Sequence, residues 1–196
     1  MVEPKKIKLP LSSEDVAGLK VGDLVLLSGN MVSGRDRMHK YLVEERPSPD
    51  DIPFNLSGAV IYHCGPVIKK VDDSYMVIAA GPTTSMRVEM YEARVIREYG
   101  IKGIIGKGGM GGNTLRALQE NGCVYFNTTG GAAVYLADRI KKILDVWKLD
   151  EFGPTEAMWL FEVDEFPAIV TMDAHGNNMH RDIEELSFRK FSELMR

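Results

Sequence analysis

Three basic residues stand at or just before the predicted starts of helices: Arg35, Arg87 and Lys107. A helix N-terminus carries a partial positive charge, so a cation there is disfavoured by about 0.3–1 kcal/mol. An anion bound against the same side chains and the free helix amides reverses the sign of that interaction. Each cation on its own could simply point into solvent, but three of them in one small chain predict an anion pocket.

Two of these helices have recognisable start signals. The capping-box pattern Ser33-x-x-Asp36 predicts a helix with Arg35 in its first turn. The second helix follows Gly81–Ser85, in which a proline fixes the backbone after the buried strand predicted over Met76–Ala80, and three hydroxyl residues come next. Hydroxyls and free amides at a helix start can donate hydrogen bonds to carboxylate oxygens. The alternative is that one hydroxyl residue is an ordinary N-cap.

The glycine-rich loop Gly106–Gly111 formally matches the pattern G-x-G-x-x-G between a strand and a helix. A dinucleotide site also requires an acidic residue about 20 positions later, but the next strand ends in Tyr125-Phe126-Asn127-Thr128. A Walker A loop requires Ser or Thr after its lysine, and Gly108 stands there. We therefore interpret the loop as glycine backbone that lets Lys107 approach a ligand closely.

Histidine and cysteine spacings predict no metal site on this chain. The H-x-x-x-H and H-E-x-x-H patterns of metal-binding helices are absent from the four histidines: His39, His63, His175 and His180. His39 lies one turn after Arg35 and either faces the same site or packs beneath it, whereas His63 ends an apolar strand and is typical of a core histidine. The two cysteines, Cys64 and Cys123, are too few to ligate an iron–sulfur cluster.

Composition excludes several classes of function. The 196 residues allow one domain spanning 1–196, and a net charge of −4 argues against a nucleic-acid surface, because such surfaces cluster Lys and Arg. No leader-like segment opens the sequence, and no run of eighteen apolar residues occurs. We therefore expect a cytoplasmic protein with neither a nucleic acid nor a membrane as its partner.

Apolar runs and helical stripes alternate along the middle of the chain, which predicts an α/β fold with a mixed sheet and flanking helices. Besides the strand before Gly81, strands are predicted over Ala59–His63, Lys102–Ile105 and Val124–Phe126.

The last third of the chain is predicted from similar patterns. A long helix is expected around the apolar stripe from Leu136 to Trp147. Two strands, Leu160–Val163 and Ile169–Met172, are expected to be joined by a loop at Phe166-Pro167. A short final helix is expected to contain Leu186 to Leu194.

Five short sequence motifs follow one another between about Leu11 and Asp173. They are Ser28-Gly29, Gly34-Arg35-Asp36-x-x-His39-Lys40, Tyr62-His63-Cys64-Gly65-Pro66, Gly81-Pro82-Thr83-Thr84-Ser85-x-Arg87 and Gly106-Lys107-Gly108-Gly109. Together they resemble the beta subunits of class I (iron–sulfur) fumarate hydratases and L-tartrate dehydratases. Two places depart from the family pattern: His63, where many relatives have a second tyrosine, and the stretch around His175.

The resemblance implies a single domain of the swivelling β/β/α type and a hydro-lyase that is active only together with an alpha subunit. That partner would carry a [4Fe–4S] cluster on three cysteines, with the fourth iron open to substrate, so this chain alone would bind no cofactor and no metal. The reaction implied is the interconversion of fumarate and L-malate in a hetero-oligomer. L-tartrate dehydration is the alternative.

Residue roles follow from the same resemblance. It implies that Arg35, Arg87 and Lys107 bind the carboxylates of the small dicarboxylate substrate. Thr83 and Thr84 match an active-site threonine pair that also contacts the substrate, and Thr83 would be the catalytic base. An unperturbed hydroxyl is a poor base at neutral pH, so a nearby cation or relay must assist it.

A second set of residues would surround the binding residues: Asp36, His39, Gly106 and Gly108. Two other hypotheses stay open from the residues themselves. One is a non-enzymatic anion- or nucleotide-binding module built on the Gly106 loop. The other is a non-catalytic scaffold that stabilises a partner chain.

Overall fold

The fold is taken from a computed structural model, which describes residues 3–72 and 74–195. The strands are β1 Lys5–Leu9, β2 Leu24–Ser33, β3 Val60–Tyr62, β4 Val67–Val71, β5 Ser74–Ala79, β6 Gly103–Gly106, β7 Val124–Asn127, β8 Ile140–Trp147 and β9 Met158–Met172. The helices are α1 Ser13–Gly18, α2 Asp36–Glu44, α3 Glu89–Tyr99, α4 Gly112–Asn121, α5 Ala133–Asp138, α6 Leu149–Phe152 and α7 Met179–Leu194. Short 3₁₀ turns cover Pro49–Asp51 and Ser85–Val88.

The main sheet has the strand order β1-β2-β3-β6-β7-β9-β8, and a separate hairpin joins β4 to β5. Strands β1, β2, β3, β6 and β7 pair in parallel, whereas β9 runs antiparallel to β7, β8 and β2. Because β9 pairs with both β2 and β7, five strands form a closed ring of paired neighbours: β2, β3, β6, β7 and β9. The predicted α/β class, a mixed sheet with flanking helices, is confirmed.

Successive side chains of the short central strands point alternately into two separate apolar cores. Val60 and Tyr62 of β3 enter one core and Ile61 enters the other, since successive side chains of a strand point to opposite faces. In β7, Phe126 and Tyr125 divide in the same way. The second core lies under the helices α2, α3 and α4, so the elements that carry the predicted site are anchored from below.

The parallel pairing also determines where the site forms. Carboxyl ends of parallel strands meet at one edge of a sheet, and the segments that follow β2, β3 and β6 therefore lie side by side. These segments begin at Gly34, His63 and Lys107. Each of them carries at least one of the motifs on which the predicted function depends.

The prediction of a long helix between Leu136 and Trp147 was wrong. Helix α5 ends at Asp138, and Ile140–Trp147 is strand β8, paired with β9. Its buried-side residues include the β-branched Ile140, Ile143 and Val146, which favour a half-buried strand and can also satisfy a three-residue spacing.

The prediction of a loop at Phe166-Pro167 was also wrong, because β9 continues through it. The strand bends here: Glu165 has a φ of 49°, and the register against β2 shifts between Leu27 and Gly29. A bulge of this kind redirects a strand without ending it. Phe166 is fully buried and packs edge-on against Tyr62 with ring centroids 5.3 Å apart.

Two further element predictions need correction. Met76–Ala80 was predicted as a buried strand, but β5 lies in the two-stranded hairpin and exposes Met76 and Ile78. The final helix, α7, contains Leu186 to Leu194 as predicted but is not short: it begins at Met179, because Asn178 caps it by accepting hydrogen bonds from the amides of residues 180 and 181. Within the described ranges, no helix combines the length and apolar character needed to cross a bilayer.

Candidate active site

The Gly81–Ser85 segment lies between the segments that follow β3 and β6. The Thr83 amide donates to the carbonyl of His63 (2.7 Å), and the Ser85 amide donates to the carbonyl of Lys107 (3.1 Å). Isolated bridges pair Cys64 with Pro82 and Thr84 with Lys107. Three motifs that are separated in the sequence therefore become neighbours through main-chain hydrogen bonds.

Arg35 is the N-cap of α2, not a residue of its first turn, and the predicted Ser33 cap is wrong. Ser33 ends β2, where its hydroxyl accepts a hydrogen bond from the Trp159 amide (3.1 Å). The Arg35 side chain lies against Gly65, where an added Cβ would stand 2.6 Å from Arg35 Nη1. Gly65 is thus a glycine because the guanidinium occupies the space of a side chain.

Asp36 joins two of the three predicted cations. Arg87 Nε donates to Asp36 Oδ1 (3.0 Å), and Arg35 Nε lies 3.5 Å from Asp36 Oδ2 and 3.2 Å from Glu156 Oε1. Among the described residues, the buried atoms Arg35 Nε and Asp36 Oδ2 have no aligned hydrogen-bond partner. The edge therefore contains two guanidinium groups, one half-exposed, and a buried donor that is held near carboxylates but not satisfied by them.

Lys107 lies beside Thr84, with which it forms an isolated bridge. Its side chain runs towards Gly130, where an added Cβ would be 3.8 Å from Lys107 Nζ. Thr84 and Gly108 are exposed beside it. Arg35 and Lys107 follow strands β2 and β6 of the main sheet, whereas Thr83 follows β5 of the separate hairpin and joins the same end of the sheet through the hydrogen bond from its amide to the His63 carbonyl. Their functional roles stay predictions.

The structure explains why a glycine is required at position 106 and what the start of the following helix binds, neither of which the sequence revealed. A Cβ at Gly106 would overlap the hydroxyl oxygen of Ser85, which is fully buried. The loop's own helix, α4, has its N-terminal groups engaged by Glu89, whose carboxylate accepts from the amides of Gly111 (2.8 Å) and Thr114 (3.2 Å). The Thr114 hydroxyl donates to it as well (2.6 Å). This intramolecular anion occupies the place that a phosphate takes in dinucleotide-binding folds.

Comparison with known proteins agrees with this arrangement of motifs. A family model described as "Fumarase C-terminus" matches residues 2–183. This chain belongs to the fumarase C-terminus family. The resemblance inferred from the five motifs is therefore confirmed, and the motifs at the sheet edge are motifs of a fumarase C-terminus domain.

Three relatives show how the family arranges this domain. A protein from Geobacillus stearothermophilus, named as a candidate class I fumarate hydratase, is 48% identical over 188 residues, and the match covers 95% of this chain but 35% of the relative. A candidate L(+)-tartrate dehydratase beta subunit from Methanocaldococcus jannaschii is 41% identical, with 94% and 95% covered. The L(+)-tartrate dehydratase beta subunit of Escherichia coli K12 is 38% identical, with 93% and 89% covered. The chain thus spans about a third of the first relative and nearly all of the other two.

Beneath the edge of this fumarase C-terminus domain lies a buried cluster of three residues, His39, His63 and Glu92. Glu92 Oε2 is 3.1 Å from His39 Nε2 and 3.0 Å from His63 Nε2, and all three side chains are almost completely excluded from solvent. His39 comes from α2, His63 follows β3, and Glu92 comes from α3. Sequence analysis placed His39 near the site but missed Glu92 altogether.

Hydrogen bonds connect the buried cluster to the edge above it. His39 Nδ1 donates to the carbonyl of Arg35 (2.8 Å). His63 Nδ1 lies 2.9 Å from Ser85 Oγ, which in turn lies 2.8 Å from the hydroxyl of Tyr125. The main chain of Arg35 and the segment after Pro82 are therefore positioned in part by the buried cluster.

The cluster also shifts the pKa values of its own three residues. Burial opposes a charged Glu92, but the two histidines outweigh it and lower the pKa of the carboxyl to about 2. Burial likewise opposes a charged His39, yet Glu92 raises the pKa of that ring. For His63, burial prevails over Glu92 and the pKa is lowered. In the absence of another cation, Glu92 therefore favours a positive charge on His39 more than on His63.

Neither cysteine is suited to iron–sulfur ligation. Burial raises the pKa of the Cys64 thiol to about 12 despite the nearby Arg35, and burial also raises the pKa of Cys123. A [4Fe–4S] cluster requires at least three thiolates from one site, whereas this chain has two cysteines, both fully buried. The cluster that the family resemblance implies therefore does not fit the residues of this chain.

Proposed function

We propose that this chain is the beta subunit of a hydro-lyase that interconverts fumarate and L-malate, and that it binds the dicarboxylate at the edge formed by Arg35, Arg87 and Lys107. The observation that supports this most directly is the position of Asp36 between two guanidinium groups. A carboxylate is already the preferred neighbour of these side chains. A substrate carboxylate has the same charge and the same pair of acceptor oxygens.

The proposed role of the basic residues is to stabilise charge that develops during the reaction. Removing a proton next to a carboxylate transfers negative charge onto that carboxylate. Arg35 and Arg87 can bind its oxygens through forked hydrogen bonds, and Lys107 adds a point charge. The unsatisfied Arg35 Nε is a donor already desolvated for this purpose.

We further propose that Thr83 is the catalytic base and that Thr84 helps to orient the substrate. The Thr83 amide is fixed on the carbonyl of His63, which holds the main chain of this residue at the same end of the sheet as Arg35 and Lys107. A threonine hydroxyl acts as a base efficiently only if its alkoxide form is stabilised, and this proposal assigns that stabilisation to Arg35 and Lys107.

The metal chemistry of the reaction is assigned in this proposal to an alpha subunit that carries the [4Fe–4S] cluster. Two relatives that match over nearly their whole length are named beta subunits, which supports a hetero-oligomer. The Geobacillus relative is almost three times as long as the matching region, which supports a fused form of the same arrangement.

The test is reconstitution under anaerobic conditions. This chain alone is expected to be inactive, and mixing it with the cluster-loaded alpha subunit is expected to give fumarate hydration. Arg87→Lys should abolish most of that activity, whereas the matched control Arg97→Lys, an exposed arginine on α3, should not. Full activity of the alpha subunit without this chain would contradict the proposal and favour a scaffold.

L-tartrate dehydration is the second candidate, because two of the relatives are named subunits of tartrate dehydratase. The same reconstituted complex decides between them. If kcat/KM for L-tartrate exceeds that for fumarate and L-malate, the edge binds a dihydroxylated dicarboxylate and the primary assignment is wrong in its substrate.

A further inference from the structure

The buried cluster of His39, His63 and Glu92 is incomplete in its hydrogen bonding. Four of its atoms have no aligned partner among the described residues: His39 Nε2, His63 Nε2 and both carboxylate oxygens of Glu92. The distances from Glu92 Oε2, 3.1 and 3.0 Å, are short enough for hydrogen bonds, but the ring nitrogens do not point along them. Buried polar atoms are costly to leave unpaired, so something else is expected to satisfy them.

The tautomer of His39 makes this requirement sharper. A backbone carbonyl can only accept a hydrogen bond, so His39 Nδ1 carries the hydrogen that it shares with Arg35. The neutral ring then presents a lone pair at Nε2 to a carboxylate oxygen, and two electron-rich atoms would face each other at 3.1 Å. A positive species must lie between them, which is either a proton or a metal ion.

The geometry favours the metal ion. A proton shared between nitrogen and oxygen requires the ring nitrogen to point at the oxygen, and here neither ring does. Ligands that are each about 2.1 Å from one ion lie about 3.0–3.4 Å apart at octahedral or tetrahedral angles, and each points at the ion rather than at its neighbour. The observed separations of 3.0 and 3.1 Å agree with such ligands, and the three side chains offer donor atoms within 4.8 Å of one another.

We propose that His39 Nε2, His63 Nε2 and the Glu92 carboxylate bind one divalent first-row transition metal ion, such as Zn²⁺, Fe²⁺ or Mn²⁺. Two imidazoles with one carboxylate suit these ions and not Mg²⁺ or Ca²⁺, which prefer oxygen ligands throughout. The outer ring nitrogens have the partners typical of metal-binding histidines: the Arg35 carbonyl for His39 and the Ser85 hydroxyl for His63.

The proposed ion would have a structural role. It joins α2, the end of β3 and α3, which are the elements that carry or position Arg35, Thr83 and Arg87. It is enclosed by the helix-side core, so it would be acquired during folding rather than through an open channel. This inference does not depend on the proposed reaction, and it concerns a different metal from the iron–sulfur cluster assigned to the partner chain.

The experiment is a metal analysis of the tag-free chain. Protein unfolded in denaturant with a chelator, then refolded with Zn²⁺, Mn²⁺ or Co²⁺, or anaerobically with Fe²⁺, should retain about one ion per chain after exhaustive dialysis. The loaded chain should also melt several degrees above protein refolded without metal. Co²⁺ should give the visible absorption bands of a nitrogen- and oxygen-ligated ion, a signal that does not require enzymatic activity.

Variants locate the ion. His63→Leu and Glu92→Gln should each lower the bound metal at least tenfold, whereas His175→Ala, which removes an exposed histidine, should not change it. If a variant fails to fold, the comparison of loaded and metal-free wild-type chain still decides the question. Substoichiometric metal and identical melting with all four ions would show that a proton completes the cluster and would overturn the proposal. Unchanged metal content in folded variants would overturn it as well.

Discussion

The molecule contains two carboxylates that each lie between two nitrogen-bearing side chains, and their environments differ completely. Asp36 lies between Arg35 and Arg87 at the sheet edge, where the side-chain exposure ranges from 24% to 53%. Glu92 lies between His39 and His63, where exposure is at most 1%. Water and ions can replace the partners of Asp36, but nothing can replace those of Glu92 without opening the core.

This difference separates binding from scaffolding. Exposed ion pairs contribute about 0–1 kcal/mol to stability, so the guanidinium groups of the edge can exchange Asp36 for a ligand at little cost. Removing one partner of a buried charged group typically costs about 3–5 kcal/mol, so the buried cluster is expected to hold one geometry. A carboxylate between two nitrogen-bearing side chains is therefore expected to take part in binding where it is exposed and to stabilise the fold where it is buried.

The largest effect is expected from Glu92→Ala, which tests whether the buried cluster stabilises the fold. We expect the free energy of unfolding to fall by about 3–5 kcal/mol, because two buried ring nitrogens lose their carboxylate. Urea denaturation followed by circular dichroism measures it. Glu44→Ala, which removes an exposed carboxylate from α2, should change stability by less than about 0.5 kcal/mol. Equal effects of the two substitutions would mean that Glu92 is not a structural centre.

Arg87→Lys tests the other half of the comparison. The substitution retains the charge but loses the forked donor, so kcat/KM of the reconstituted complex should fall about 10²–10³-fold while stability is unchanged. Steady-state kinetics and thermal melting of the same preparation measure both. A loss of stability with normal kinetics would place Arg87 with the scaffold instead of the binding edge.

Gly106→Ala probes the contact between the two regions. Its new Cβ would overlap Ser85 Oγ, which links His63 to Tyr125, so the side chain must move and we expect a loss of about 1–3 kcal/mol. Gly112→Ala is the matched control, because an added Cβ there meets no atom within 4 Å among the described residues. Denaturation curves that coincide for the two variants would show that the overlap at Gly106 is relieved without cost.

The smallest expected effect comes from Asp36→Asn. The substitution removes a negative charge that competes with a ligand for Arg35 and Arg87. We expect the inhibition constants of malate-like dicarboxylates to decrease about two- to fivefold, in line with a partly exposed ion pair. Competition assays on the reconstituted complex measure this, and weaker inhibition would show that Asp36 orients the guanidinium groups rather than competing for them.

Much of the fold could be predicted because the central parallel strands β3, β6 and β7 are short, largely apolar runs. Where local and tertiary signals differ, the prediction failed. Ile140, Ile143 and Trp147 fit a helical stripe by spacing, but β9 offers them a strand partner. Pro167 reads as a loop residue, yet it is tolerated beside a bulge, where the strand bends without ending.

The site was predictable as a set of motifs but not as a layered structure. Arg35 and Lys107 follow strands β2 and β6, which end at the same end of the parallel sheet, and main-chain hydrogen bonds attach the Thr83 segment, which follows the separate hairpin, to that end. Glu92 was missed because only the start of its helix, after Gly81–Ser85, was considered. One signal was available: Glu92 stands at a core position, one turn after Val88 and one turn before Val95, and a charge on an apolar stripe requires an explanation.

The carboxylate of Glu89 affects which anions the glycine loop can bind. Nucleotides and sugar phosphates are abundant in cells, and a glycine loop before a helix is where many proteins capture them. Here Glu89 accepts hydrogen bonds from the Gly111 and Thr114 amides, so two of the donors that a phosphate would use at this helix start are already occupied.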